Sequence, residues 1–407
     1  MLRRLRAVGP GALAAAAFIG PGTVTTATIA GARYGFSLVW ALVFATLAAM
    51  TLHEMAVRLG AYSKRGLGEA IIEATASARI ARRTIAGLIF AALLIGNAAY
   101  EGGNIAGAAL GVEAAFASIN RTVSVAAIIA LAAAILFLGG YKLIERCLVA
   151  IVILMSVCFL ATFVAVRPDL GALAAGLVPA IPAGGVLVVI GLIGTTIVPY
   201  NLFLHAAAAK ERWAQTPPDE ALANARFDAT LSIGVGGLVS ILILSTAAAS
   251  FFGSETAITN AGDMARQLEP VFGPASRYLM AAGLFAAGLS SAITAPLATG
   301  YAVSELLARD ASRRDTIRQI TMLVVLTAGA LAALSGAAPI SIIVFAQVAN
   351  GILLPVIGVF LLYAVNRRAL LAEKTNNLSA NVIGAGVLVL TALLGARALY
   401  GVVARFI

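Results

Sequence analysis

The sequence predicts an all-α polytopic membrane protein, and three observations carry that prediction. The 407 residues are 61% hydrophobic and only 11% charged, with a mean hydropathy of +0.99, which suits lipid-embedded helices and not a soluble globule. Apolar stretches recur at roughly 20–25 residues, the length that crosses a bilayer as helix. Basic residues concentrate in alternate connections between those stretches.

Eleven spans follow, at 10–33, 37–59, 84–110, 121–140, 145–166, 183–208, 227–252, 277–307, 317–336, 338–365 and 379–404. With the N-terminus in the cytoplasm, twenty Lys and Arg residues fall on the inner side, from Arg3, Arg4 and Arg6 to Arg367, Arg368 and Lys374. Seven fall on the outer side, and Arg58 sits at the inner end of span two. This bias predicts a bacterial-type inner (plasma) membrane protein with a cytoplasmic N-terminus and an outer C-terminus. The net charge of +10 is then a product of topology and not a sign of nucleic acid. The apolar stretch after Arg6 continues as a full span, so no cleavable signal peptide is expected. Cys147 and Cys158 fall on one predicted helix, too far apart along its axis to bridge, and have no disulfide or metal role.

The first span is interrupted at Gly20-Pro21-Gly22-Thr23. Proline removes an N–H and glycine lets the backbone leave the helix. A break at mid-membrane frees polar backbone groups, which is tolerated only around a cavity or inside protein. Span three carries Asn97, Glu101 and Asn104, with Glu101 roughly 25 Å from the inner end at 1.5 Å per residue. An acid at that depth is a functional candidate, although a protonated Glu bonded to Tyr or Asn neighbours is the alternative. In span six, Thr195, Thr196 and Pro199 make a second break. His205 follows as a proton carrier near neutral pH or a helix-end donor. His53 and Glu54, near the inner end of span two, are adjacent and point in different directions, as gate or interface residues. Segment 215–220 is expected as plain loop. Ser290, Ser291 and Thr294 in span eight fit helix packing, with a second ion path as the alternative. Gln347 and Asn350 in span ten share a face that lines the cavity or bonds between helices.

The broken spans are five apart, and an odd number of spans per repeat inverts the second repeat. One transmembrane domain (1–407) is expected, with repeats at 10–166 and 183–365 and an extra helix at 379–404. That is the plan of a secondary transporter with a midplane site.

At these residues the chain resembles the NRAMP family of proton-coupled divalent metal transporters. Gly9-Pro10-Gly11 and Gly20-Pro21-Gly22-Thr23 resemble the family's first helix, where the second motif is normally Asp-Pro-Gly-Asn. Gly31-Ala32-Arg33-Tyr34-Gly35-Phe36 and Leu38-Val39-Trp40 match the turn that follows, and Arg58-Leu59-Gly60 the end of helix two. Pro199-Tyr200-Asn201-Leu202-Phe203-Leu204-His205 resembles the helix-six Pro-His-Asn-Leu-Tyr-Leu-His, and Gln347 the helix-ten glutamine. The resemblance implies a LeuT-type fold with helices 1 and 6 broken, and a metal cation as cargo.

It also implies an ion held by an Asp and an Asn of helix one, an Ala carbonyl of helix six and a Met thioether. At those positions stand Gly20, Thr23, Thr195 and Val198. Tyr200 replaces a histidine, Glu101 resembles the helix-three Glu, and Ala98 stands where its Asp partner is expected. The expected substrate-binding set is Gly20, Thr23, Thr195, Thr196, Val198, Tyr200, Gln347 and Asn350, with helix breaks at Pro21, Gly22 and Pro199. The expected metal set is Gly20, Thr23, Thr195, Glu101 and Gln347. The proton or cation path is Glu101, Asn97, Asn104 and His205. Charged and soft ligands are both absent from the breaks, so a harder or hydrated ion is expected, bound weakly.

No nucleotide loop, clustered Cys/His site or Ser–His–Asp pattern supports an enzyme. No cofactor is expected beyond a transported cation. The expected partners are the lipid bilayer and a small cation or small polar solute, with no nucleic acid, and the chain is expected to be a monomer. Two alternatives share the fold: a transporter of a small polar organic solute, and a non-transporting membrane sensor or scaffold.

Overall fold

Apolar runs of this length satisfy their backbone groups internally as helices, and a computed structural model of the chain shows them doing so. It describes residues 19–75, 79–116, 118–138, 141–254, 256–307 and 310–403. Among the described residues there is no strand. The main helices are α1 (Pro21–Tyr34), α2 (Val39–Arg58), α3 (Leu67–Ala74), α4 (Arg79–Ala115), α5 (Arg121–Leu138), α6 (Tyr141–Val166) and α7 (Leu170–Ala175). They continue as α8 (Val186–Thr196), α9 (Pro199–Arg212), α10 (Pro218–Phe251), α11 (Ala261–Ala265), α12 (Ser276–Leu307), α13 (Ala311–Ala333), α14 (Pro339–Val365) and α15 (Leu378–Val403).

Among the described residues ten stretches are long and apolar enough to cross a membrane, and they match spans two to eleven. Residues 10–18 of span one, with the Gly9-Pro10-Gly11 motif, lie outside the described residues, as do Arg3, Arg4, Arg6, 139–140 of span four and 404 of span eleven. Segment 215–220 is only partly loop, because α10 starts at Pro218. Pro218 suits the first helical position and Asp219 and Glu220 suit the first turn, so the helix runs on beyond the apolar stretch. Span nine ends at Ala333, three residues short, where the chain turns through Gly336 at φ 83°.

Enclosure differs along the bundle. The two halves of span six, α8 and α9, are almost wholly buried, whereas α5, α6 and α13 turn large apolar side chains such as Leu138, Val164 and Leu331 outward to lipid. In the interior α4 packs against α12, α13 and α14, α8 packs against α14, and α1 packs against α10. The α2 helix closes with a π turn (Leu59–Ser63), after which Lys64 takes a left-handed conformation. Its ammonium donates to the carbonyls of Trp213 at 2.6 Å and Thr216 at 3.3 Å, satisfying the end of α9.

Candidate functional site at the two helix breaks

The first break is built by Gly20 and Pro21. Gly20 is extended (φ −79°, ψ 173°), and its carbonyl accepts the N–H groups of Thr23 at 3.1 Å and Val24 at 3.3 Å. Pro21 opens α1 at a position where a missing N–H costs nothing. Close packing fixes this start. A Cβ on Gly107 of α4 would lie 2.3 Å from Pro21 Cβ, and one on Gly22 2.2 Å from Gln347 Nε2.

The second break repeats the device. The α8 helix ends at Thr196, Ile197 and Val198 leave the helical region, and Pro199 opens α9. The Thr196 hydroxyl donates back to the Leu192 carbonyl at 2.8 Å, which occupies it within its own helix. Val198 is buried, and its carbonyl already accepts the Asn201 N–H at 3.0 Å. With an apolar side chain, Val198 offers a wall and no side-chain ligand.

The two breaks meet at one contact: Thr23 Oγ1 lies 2.9 Å from Thr195 Oγ1, with both residues buried. Gln347 of α14 borders the same region, whereas Asn350, one turn on, turns its Oδ1 toward Gly96 of α4. Gln347 lies against Gly22, and its backbone carbonyl lies beside Gly194, where a Cβ would come within 1.9 Å. Gln347 Oε1, Asn350 Nδ2 and the hydroxyls of Thr25 and Thr26 are buried without a hydrogen-bond partner. Buried polar atoms of this kind require water or a solute. Among the described residues no three His, Cys, Asp or Glu side chains gather to hold a metal, so the break is lined by neutral groups.

Tyr200 lies beside Tyr100 of α4, edge to face with ring centroids 5.5 Å apart. Its hydroxyl faces Tyr100 and Thr294 without a well-formed hydrogen bond to either. In the sequence, Tyr100 is marked only by its place beside Glu101.

Glu101 follows Tyr100 on α4. It is fully buried, Asn104 Nδ2 donates to its Oε2 at 3.2 Å, and its Oε1 has no partner. Its side chain is turned to α13, where a Cβ on Gly329 would lie 2.3 Å from Glu101 Cγ. The face of α4 that meets Pro21 and α14 is the one carrying Gly103 and Gly107. The Glu101 side chain thus packs against α13, while Thr23 and Thr195 meet at the breaks. Asn97 is also turned away, donating to Thr299 Oγ1 of α12 at 2.7 Å.

His205 meets a partner that the sequence did not pair with it: His53 Nδ1 lies 2.9 Å from His205 Nδ1. Glu54, its neighbour, points away and pairs with Arg58 at 3.1 Å and Arg226 at 2.7 Å. At the same end of α9, Lys210 pairs with Glu69 of α3 at 2.7 Å, and Arg314 of α13 joins at 3.0 Å. Burial pushes the Glu69 carboxyl up, but Lys210, the Gly66 N–H and Arg314 together hold it below the ordinary glutamate range.

The fold recurs in known proteins. The family model described as natural resistance-associated macrophage protein-like matches residues 11–401. The Deinococcus radiodurans protein described as divalent metal cation transporter MntH is 29% identical, over 94% of this chain and 86% of that relative. Its namesake from Pectobacterium carotovorum is 28% identical, over 95% and 92%. A solved structure of the Eremococcus coleocola manganese transporter superposes with TM-score 0.79 at 23% identity, covering 99% of this chain and 88% of that one. Mhp1, a nucleobase-cation-symport-1 transporter, superposes with TM-score 0.56 at 15% identity, over 98% and 93%. The architecture is the LeuT type.

Proposed function

We propose, from the premise that the chain belongs to the natural resistance-associated macrophage protein-like family, that it is a secondary transporter moving a divalent metal cation through the two helix breaks. The observation that carries this reading is the contact between Thr23 and Thr195, which brings the two breaks together at one point. The curated relatives are named as divalent metal cation transporters, which supports the cargo class.

The ion enters a site of neutral oxygens: the hydroxyls of Thr23 and Thr195, the side-chain oxygen of Gln347, and carbonyls freed where α8 ends. With no carboxylate to offset lost hydration, the ion keeps part of its water shell. With no thioether, softer ions gain no advantage. Transport proceeds by alternating access, the broken helices of repeats 10–166 and 183–365 rocking against their scaffold, with 379–404 outside the symmetry. The basic end of the bundle faces the cytoplasm. Glu101, Asn104 and Asn97 serve a separate polar track along α4, toward α12 and α13. No enzymatic step belongs to this reading.

A second reading, uptake of a small polar organic solute, has one observation in its favour. Both α1 and α9 begin at a break with no acidic residue in the first turn, so their N–H ends present partial positive charge. Uptake into proteoliposomes separates the two readings. Saturable entry of Mg²⁺, Ca²⁺, Mn²⁺ or Fe²⁺, weakened by Thr23→Val, is expected. Well-folded protein that moves none of these ions sinks the metal reading.

A further inference from the structure

The basic end of the bundle carries a cavity of about 420 Å³ where the end of α14 meets the start of α15. Leu362, Tyr363, Asn366 and Arg367 line it from one side, and Asn381 and Ala385 from the other. The two helices approach closely beside it, since a Cβ on Gly384 would lie 2.8 Å from Leu362 Cδ2. The amides in the lining already satisfy each other. Asn366 Nδ2 donates to Asn381 Oδ1 at 2.7 Å, and Asn381 Nδ2 donates to Asn366 Oδ1 at 2.9 Å.

Arg367 is the group left over. Its guanidinium carbon sits 4.0 Å from the centre of the Tyr363 ring, and the Tyr363 hydroxyl donates to the Ala74 carbonyl at 3.3 Å, which fixes that ring. At the same end of the bundle Arg58, Lys210, Arg226, Arg314 and Lys374 each meet a carboxylate. Among the described residues no carboxylate pairs with Arg367. No acid lines the cavity, and α15 has none in its first turn, so its N-terminus adds partial positive charge. Away from this charged rim the surface turns apolar. Val359, one turn before Tyr363, and Val389, one turn after Ala385, are 53% and 58% exposed on the faces that continue from the cavity.

We propose that this cavity binds the phosphodiester headgroup of an anionic phospholipid, with an acyl chain lying along the seam between α14 and α15. A guanidinium presents paired N–H donors that match two phosphate oxygens, and stacking on Tyr363 holds its plane ready. The site selects an anionic headgroup over a zwitterionic one, because no carboxylate in the lining receives an ammonium. It selects a lipid over a dissolved anion, because the exposed valines carry apolar surface away from Arg367. Basic pockets between membrane helices take acidic headgroups in this way. The site lies outside the two breaks and does not depend on the cargo that they carry.

Purified full-length protein in detergent is titrated with phosphatidylglycerol, with phosphatidylcholine of the same acyl chains, and with inorganic phosphate. Bound lipid is counted by native mass spectrometry while Tm is followed. The first phosphatidylglycerol is expected to bind roughly fivefold more tightly than phosphatidylcholine, the worth of one basic side chain at a membrane surface. That preference is expected to vanish in Arg367→Gln, whose side chain is exposed, and to weaken in Tyr363→Leu. It is expected to persist in Arg313→Gln, which removes the same charge from α13. Equal binding of the two lipids by wild-type protein overturns the proposal and needs no variant, and a preference retained in Arg367→Gln does the same. A preference lost equally in Arg313→Gln assigns it to net charge and overturns the site. A Tm raised as far by inorganic phosphate as by phosphatidylglycerol puts a dissolved anion in the cavity and overturns the lipid.

Discussion

At Thr23 a single hydroxyl stands where a carboxamide is usual in the family, and it touches Thr195 at 2.9 Å. Breaking this bond in Thr23→Val costs about 0.5–1.5 kcal/mol net and leaves the buried Thr195 hydroxyl without that partner. Uptake kinetics are expected to show a KM raised roughly two- to tenfold, with little change in Tm. Gly20→Asp makes the opposite change. Gly20 is extended, a conformation open to any residue, so its backbone accepts an Asp. Divalent-ion binding by calorimetry is expected to tighten by at least tenfold, because the ion gains the charge it lacks in the wild type. Glu101 behaves differently because it faces α13. Glu101→Gln is expected to leave ion affinity at the break unchanged while flattening the dependence of uptake on a proton gradient. Equal loss of binding and uptake would place Glu101 back at the ion.

The elements hold the site through close approaches, and these differ in how much they can yield. A Cβ on Gly194 meets backbone atoms of α14, 1.9 Å from the Gln347 carbonyl oxygen and 2.5 Å from the Gly351 nitrogen. A Cβ on Gly22 meets first the movable amide of Gln347. Gly194→Ala is therefore expected to separate α8 from α14 and destabilise the protein by about 1–3 kcal/mol or more, read as a lower Tm. Gly22→Ala is expected to fold normally and to alter uptake through the displaced Gln347. The charged tie at the end of α9 adds a pH signature. Glu69 is held below the ordinary glutamate range, so its pairing with Lys210 stabilises the fold at neutral pH and is lost as pH falls through its depressed pKa. A Tm that falls on acidification below the usual carboxylate range is expected in the wild type, and a smaller fall in Glu69→Gln. The contribution is about 1 kcal/mol at most, since Lys210 is partly exposed.

For the whole molecule, what the sequence makes legible follows the range of the physics involved. Spans are readable because each satisfies its own backbone and announces itself by length and hydropathy. The breaks at Pro21 and Pro199 are readable because proline and glycine act locally. The depth of Glu101 is readable, but its direction depends on which neighbour packs beside α4, and Gly329 decides that from 228 positions away. The pairing of His53 with His205 requires the register of two helices 152 residues apart, so no local pattern reveals it. Lys210 and Glu69, 141 apart, are hidden in the same way. The start of α10 at Pro218 was missed for another reason: apolar content stops there, while capping chemistry continues the helix.

The central claim is that a divalent ion rests between the two breaks on neutral oxygens. Anomalous diffraction from crystals soaked in Mn²⁺ tests it most directly, because the scattering locates the ion without reference to transport. The account predicts a peak in contact with Thr23 and Thr195, bordered by Gln347 and still carrying water. A map with no peak between Thr23 and Thr195, at Mn²⁺ concentrations that saturate uptake, contradicts it.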